Sequence, residues 1–99
     1  MAAYIIAEIE ITDPESYERY RAQTPGVIER YGGRFIVRGG RAETLEGDRQ
    51  PGRLVVIEFS DATAARRFYD SPEYREIIGL RQQASQGRLI LVEGHPPQA

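Results

Sequence analysis

The sequence predicts a single α+β domain with the ferredoxin-like order β-α-β-β-α-β and a four-stranded antiparallel sheet. Three observations lead to this prediction. Four segments have the alternation or the apolar content of strands, two carry apolar residues at helical spacing, and 99 residues are enough for one domain only. We therefore expect one domain over residues 1–94 and a flexible C-terminal tail over residues 95–99.

The first strand and the first helix have clear local signals. From Ala3 to Ile11 every second residue is Ala or Ile, which is the period of a strand. Asp13 is placed to cap a helix whose first residue is Pro14. Pro25-Gly26 lies inside the helical pattern, so we expect a kink there or two short helices. Gly32-Gly33 then ends the helix and turns the chain.

The two middle strands are expected to form a hairpin with a long connection. They are predicted over Arg34 to Arg38 and Arg53 to Phe59, both rich in β-branched and aromatic residues. The intervening residues 42 to 52 are polar and contain Gly and Pro, with Thr44 and Leu45 as a candidate extension of one arm. The hairpin therefore contributes the second and third strands of the sheet.

The last part of the chain is expected to contain a bent helix and a final strand. Ser60 or Asp61 caps this helix, and Ser71-Pro72 marks a bend at which a second helical piece begins. We expect this second piece to end at Gly87. Arg88 to Glu93 is then the fourth strand.

The third strand is apolar on both of its faces, and this predicts a partner. Leu54 and Val56 alternate with Val55, Ile57 and Phe59, a pattern typical of strands buried on both sides. Two helices cover only one face of the sheet, and the other face would exceed the apolar patch that a monomer tolerates. We therefore expect a homodimer with twofold symmetry, packed sheet against sheet.

Composition excludes several classes of function. The net charge of −2 gives no reason to expect a nucleic-acid partner, and no apolar run approaches the ~20 residues of a membrane span. The N-terminus lacks the features of a signal peptide, so we expect a cytoplasmic protein.

The chain has no Cys and no Lys, and its single His is His95 in the tail. A thiolate, a Schiff base, a metal site and a Ser-His-Asp triad are therefore not expected, and neither is a cofactor.

Glu58 is the candidate catalytic residue. It is an acid within an otherwise apolar strand, where its pKa would rise and allow it to act as a general base. The alternatives are an ion pair with an arginine, such as Arg38 or Arg81, or simple exposure at the end of the strand.

Two arginines and four tyrosines are the candidate ligand-binding residues. Arg81 lies on the apolar stripe of the last helix and Arg38 lies beside Gly39-Gly40, so each is placed to hold an anionic group. Hydroxyl groups on inward helix faces would complete a small polar pocket in an apolar wall: Tyr17, Tyr20, Tyr69 and Tyr74. The alternatives are an internal partner for Arg81, a surface position for Arg38 and core packing for the tyrosines.

A set of short motifs runs in order through nearly the whole chain: Thr12-Asp13-Pro14-Glu15, Tyr17 and Tyr20, Tyr31-Gly32-Gly33-Arg34-Phe35, Arg38-Gly39-Gly40, Leu45-Glu46-Gly47, Ile57-Glu58-Phe59, Phe68-Tyr69, Ser71-Pro72-Glu73-Tyr74, Leu80-Arg81 and Val92-Glu93-Gly94. Together these motifs resemble the DUF1330 family of small bacterial proteins of unknown function. Phe68 departs from the family, in which Trp is common at this position. The resemblance implies a ferredoxin-like fold in the dimeric α+β barrel superfamily, which includes cofactor-free monooxygenases, isomerases and haem-binding enzymes.

Two functional hypotheses remain open at this point. In the first, the protein binds a small acidic or aromatic metabolite between helices and sheet, and a cofactor-free monooxygenase or isomerase is its most concrete form. In the second, the protein is a non-catalytic dimeric structural or regulatory module whose polar residues satisfy one another. Membership of the superfamily does not decide between these hypotheses, because a shared fold does not imply a shared function.

Overall fold

The predicted fold class is confirmed by a computed structural model, which describes residues 1–96. The protein is an α+β domain with a four-stranded antiparallel sheet of order β2-β3-β1-β4. Its elements are β1 (Ala3–Ile11), α1 (Pro14–Arg30), β2 (Arg34–Arg38), β3 (Arg53–Phe59), α2 (Ala62–Asp70), α3 (Pro72–Ala84) and β4 (Ser85–Glu93). Part of the predicted C-terminal tail, from residue 97 onward, lies outside the described residues.

The register of the sheet separates an inner face, covered by the helices, from an outer face. Ile5 of β1 lies opposite Ile57 of β3 and Leu91 of β4, and Ile5 and Ile57 are buried against the helices. The residues next to them in sequence point the other way. We call this other surface the outer sheet face, and its apolar members are Tyr4, Ile6, Val37, Leu54, Val56, Ile90 and Val92. Within the described chain nothing covers it, and Ile90 and Val92 are each 41% exposed.

The first helix continues through Pro25, so the expectation of two short helices is wrong. The carboxylate of Asp13 accepts a hydrogen bond from the backbone N–H of Ser16, which caps the helix as predicted. Proline has no N–H, so the carbonyl of Arg21 lacks its usual helical donor. The guanidinium of Arg38 donates to this carbonyl at 3.0 Å. A side chain of β2 therefore replaces the missing bond, and the helix passes the proline without interruption.

The break between the last two helices lies at Ser71, as predicted. The backbone of Ser71 is extended, and its hydroxyl accepts a hydrogen bond from the N–H of Tyr74 at 3.1 Å. The same hydroxyl donates to the carbonyl of Phe68 at 2.8 Å, which caps the end of α2. One buried serine therefore ends one helix and starts the next, and it sets the position of Tyr74 in the core.

The boundary between α3 and β4 lies earlier than predicted. The helix ends at Ala84 and the strand begins at Ser85, whereas Gly87 was expected to end the helix. The carbonyl of Ala84 accepts hydrogen bonds from the N–H groups of Thr12 and Asp13 at 2.8 and 3.0 Å, so the end of β1 holds the end of the helix. Gly87 lies within the strand opposite Ile9, and its φ of 150° is one that other residues rarely adopt.

The connection between β2 and β3 contains no strand extension at Thr44 and Leu45. These residues lie in irregular structure, where the hydroxyl of Thr44 donates to the carbonyl of Arg49 at 2.7 Å. Leu45 is 85% exposed. None of the helices within residues 1–96 is long and apolar enough to cross a membrane.

Replacing Gly87 is expected to disrupt the pairing of β1 with β4. A Cβ atom at this position would overlap the backbone carbonyl oxygen of Glu8, and a backbone atom cannot move aside cheaply. We expect Gly87→Ala to lower the free energy of unfolding by about 2 kcal/mol or more. Gly79→Ala is the matched control, because a Cβ there meets nothing within 4 Å and alanine favours the helix by up to ~1 kcal/mol. Urea unfolding followed by circular dichroism measures both, and equal stability of the two variants would contradict this register.

Candidate functional site

A cavity lies between α1, α3 and the inner face of the sheet. The empty space including its open mouth is about 470 Å³, but only about 30 Å³ can hold the centre of a water molecule. The larger volume includes open solvent, so a bound molecule has only the smaller volume available. It leaves room for about one or two waters, so a metabolite enters only if side chains at the mouth move.

The walls of the cavity are mostly apolar and aromatic. Apolar side chains of all four strands contribute, together with Phe68 of α2. The polar members lie on α1, α3, β2 and β3, and they are Tyr17, Tyr20, Arg21, Thr24, Arg38, Arg53, Tyr74 and Arg81. No carboxylate and no imidazole from residues 1–96 lies among the lining side chains.

Two buried tyrosines and an arginine form a hydrogen-bonded chain across the helices. The hydroxyl groups of Tyr20 and Tyr74 lie 2.7 Å apart, and the Nε–H of Arg81 donates to the Tyr74 hydroxyl at 3.3 Å. Burial, followed by the neighbouring Tyr74, raises the pKa of Tyr20 well above its ordinary value. Tyr20 therefore stays a neutral hydroxyl at physiological pH. This hydroxyl can donate a hydrogen bond to a ligand oxygen, and it does not act as a base.

Arg81 keeps its positive charge within this chain. Burial acts to lower the pKa of Arg81, but the interactions with Tyr74, Tyr20 and Tyr69 outweigh it, and the pKa is raised. Because an arginine is protonated at every physiological pH, Arg81 presents a fixed positive charge to the cavity.

Three arginines of the cavity have no carboxylate partner within the described part of the chain. Arg21 is paired with Glu18 at 3.3 Å, whereas Arg38, Arg53 and Arg81 form no salt bridge among residues 1–96. Arg38 is exposed, but Arg53 and Arg81 are partly buried, and charges that are removed from water are usually paired. The cavity therefore carries an excess of positive charge, which favours an anion.

Arg53 is the functional candidate that sequence reasoning missed. Its Nε is the one buried side-chain polar atom without a hydrogen-bond partner in residues 1–96. Its guanidinium lies 5.9 Å from the ring centre of Tyr17. It also lies against Gly39, whose φ is 69° and at which a Cβ atom would overlap the guanidinium. The available signal was the alternation of β3, which places Arg53 on the same face as Val55 and Ile57.

The structure places Glu58, the candidate catalytic residue, outside the cavity that the arginines line. Ile57 and Phe59 face the helices, and Glu58 between them must face outward. It lies opposite Tyr4 on the outer sheet face, and its carboxylate accepts a hydrogen bond from the Nε–H of Arg34 at 2.7 Å. Its ion-pair partner is thus neither Arg38 nor Arg81.

The remaining candidates divide between the cavity and its surroundings. Tyr17, Tyr20 and Tyr74 line the cavity together with Arg81, and the exposed Arg38 lies at its mouth over the ring of Phe35, at 4.4 Å. Tyr69 does not line this cavity. Its ring lies 5.8 Å from that of Tyr74 and 4.4 Å from the guanidinium of Arg75, beside a separate groove next to β4.

No metal centre is formed by the described residues. Within residues 1–96 no three His, Cys, Asp or Glu side chains come together as ligands. The cavity is lined by guanidinium groups, which bind anions and repel cations, and by neutral hydroxyl groups, which can donate hydrogen bonds to oxygens.

The comparisons agree on the family and on the fold. Residues 2–95 match the model of the family described as domain of unknown function DUF1330. No curated protein shows significant sequence similarity to the chain.

Two solved structures illustrate how widely the fold is shared. A protein of unknown function from Rhodopseudomonas palustris is 23% identical with a TM-score of 0.77, and the alignment covers 97% of this chain and 84% of that one. SnoaB, a cofactor-independent oxygenase from Streptomyces nogalater, is 18% identical with a TM-score of 0.66, covering 97% and 95%. At these identities the similarity shows a common fold and carries no activity.

Removing the buried hydroxyl of Tyr74 is expected to weaken the packing of α1 against α3. In Tyr74→Phe the hydroxyl of Tyr20 and the Nε–H of Arg81 lose their partner, so we expect the free energy of unfolding to fall by about 1–3 kcal/mol. Tyr69→Phe is the matched control, since within residues 1–96 its hydroxyl forms no hydrogen bond, and its effect should stay within ~0.5 kcal/mol. Chemical unfolding of both variants measures this difference. A Tyr74→Phe protein as stable as Tyr69→Phe would show that the hydrogen-bonded hydroxyl groups contribute nothing to the free energy of unfolding.

Proposed function

This chain belongs to the DUF1330 family, and we propose that it binds a small acidic or aromatic metabolite in the cavity between its helices and its sheet. The observation that supports the proposal is the excess of positive charge at this cavity. Arg38, Arg53 and Arg81 line one space without a carboxylate partner in residues 1–96, and the walls around them are apolar and aromatic. Apolar walls with a few convergent polar groups are the usual composition of a ligand site.

A catalytic form of this proposal is a cofactor-free monooxygenase or isomerase. Such chemistry requires removal of a proton from the substrate, and no carboxylate or imidazole of residues 1–96 lines the cavity. The substrate would therefore be a compound that ionises readily by itself, such as a polyphenol or a 1,3-dicarbonyl compound. The guanidinium groups would stabilise the anion of the substrate. The protein would then contribute electrostatic stabilisation to catalysis, without supplying a general base.

A non-catalytic structural or regulatory module is the second candidate, and one observation favours it. Tyr20, Tyr74 and Arg81 already form a hydrogen-bonded chain, and the space beside them is small. A network of this kind holds α1 against α3 and requires no ligand. This second candidate does not explain why the Nε of Arg53 is buried without a partner.

We propose in addition that the protein is a cytoplasmic homodimer packed through the outer sheet face. The support is the apolar centre of that face, which includes Tyr4, Ile6 and Val56. Charged residues lie toward its two ends, with the Arg34–Glu58 pair at one end and Glu8 opposite Arg88 at the other. An apolar centre with a polar rim is the composition of a protein interface.

Ligand binding is tested with 4-hydroxybenzoate as the probe. We expect titration to shift the NMR signals of the tyrosine rings that line the cavity and to leave those of the connection between β2 and β3 unchanged. In Arg38→Gln a charge-assisted hydrogen bond is lost, worth about 1.5–3 kcal/mol, so the affinity should fall by about 10-fold or more. Arg19→Gln, an exposed arginine of α1 outside the cavity, is the control and should bind as the wild type does. Absence of binding up to millimolar probe would refute the proposal.

The dimer is tested with a charge placed on the outer sheet face. Ile90 is partly exposed in the protomer, so Ile90→Glu should leave the fold intact while it places an unpaired carboxylate in the interface. We expect analytical ultracentrifugation to give twice the chain mass for the wild type and a single chain mass for Ile90→Glu. Leu45→Glu changes an even more exposed apolar residue, which lies in the connection between β2 and β3 and not on a strand, and it should remain dimeric. A monomeric wild type would refute the proposed dimer.

A further inference from the structure

We infer that the ligand of the cavity is a flat dianion, with an aromatic or conjugated body and one acidic group at each end. The inference rests on the proposed function and adds the charge and the shape of the ligand. It is carried by the arrangement of the cavity side chains relative to one another, and above all by Arg53.

A series of contacts between three tyrosine rings connects the guanidinium of Arg53 to that of Arg81. The guanidinium of Arg53 lies 5.9 Å from the ring centre of Tyr17, and Tyr17 lies 5.6 Å from Tyr20. The ring of Tyr20 lies 6.2 Å from that of Tyr74, whose hydroxyl receives the hydrogen bond from Arg81. Both guanidinium groups line the same cavity. Two positive groups of the cavity, whose surroundings we call its Arg53 end and its Arg81 end, are therefore connected by aromatic contacts.

The Arg53 end is built to hold a charge that the chain itself does not supply. The Nε of Arg53 is buried without a partner, and a buried donor of this kind destabilises the folded protein. Gly39 leaves the guanidinium its space, since any side chain there would displace it. An acidic oxygen from a ligand would satisfy the free donor and neutralise the charge at the same time.

Arg38 adds a second guanidinium to the same end. Arg38 lies opposite Val55, and Arg53 lies two residues before Val55 on the same strand face. One Nη of Arg38 is occupied by the Arg21 carbonyl that Pro25 leaves free, and its other donors form no hydrogen bond within residues 1–96. Two guanidinium groups at one end match a carboxylate, which accepts bonds from both.

The Arg81 end has a different donor set. Here one guanidinium lies beside the hydroxyl groups of Tyr20 and Tyr74, which suits a second carboxylate or an ionised phenol. A monoanion would neutralise one end and leave the other end positive and unpaired. A planar body can lie against the aromatic side chains that line the cavity, and side chains at the mouth must move to admit it.

The test compares two probes of the same size that differ by one charge. Terephthalate carries a carboxylate at each end of a benzene ring, and 4-carbamoylbenzoate has an uncharged amide in place of one carboxylate. We expect isothermal titration calorimetry at fixed ionic strength to show terephthalate binding the wild type about 10-fold more tightly or better. In Arg53→Gln this preference should fall to about 3-fold or less, and Arg19→Gln should retain it.

Each outcome separates the inference from the proposed function. Equal binding of the two probes by the wild type, or an unchanged preference in Arg53→Gln, overturns the dianion while the proposed function stands. If neither probe binds, and 4-hydroxybenzoate does not bind either, the proposed function fails and the inference fails with it.

Arg53→Lys keeps the positive charge and replaces Arg53→Gln in the test if that variant does not fold. It should retain part of the preference for terephthalate, and a complete loss or no change of that preference would contradict the role of the guanidinium.

Discussion

The central position of β1 in the sheet is the constraint on which the rest of the structure depends. It pairs with β3 along one edge and with β4 along the other for nearly its whole length, so its alternation is imposed on both neighbours. That alternation directs Ile5, Ala7 and Ile9 to the helices and Tyr4 to the outer sheet face. A shift of one residue would move Glu8 into the core. The cavity and the apolar outer face are both consequences of this single register.

Most of the fold was predictable because its signals are local. The alternation in β1 and the capping residues Asp13 and Ser71 act within a few residues of their own position, and the structure has them as predicted. Two local signals were misleading. Pro25 was expected to kink or to divide the helix, and the helix is not divided there, since a side chain from β2 replaces the missing hydrogen bond. Gly87 reads as a helix end, but it is required where β4 passes closely over the carbonyl of Glu8.

The site was predictable only in part because it is built from residues far apart in the chain. Helical spacing was enough to place Tyr20, Tyr74 and Arg81 on inward faces, but not to show that the two hydroxyl groups meet. Strand alternation already implied that Arg53 faces inward and that Glu58 faces outward. A lone acid in an apolar strand can be paired on the outer face, as Glu58 is with Arg34, whereas the missing partner of Arg53 depends on residues that are distant in sequence.

If the cavity binds a ligand as proposed, the bond between Arg38 and the Arg21 carbonyl would link that binding to the stability of α1. One hydrogen bond of this helix is donated by another element, which also stands at the mouth of the cavity. A ligand that engages the remaining nitrogens of Arg38 would hold this donor in place and so reinforce the helix beyond Pro25. A ligand that withdraws the guanidinium would leave the carbonyl exposed and favour local unfolding there. By linkage, whatever loosens this half of the helix also changes the affinity of the cavity.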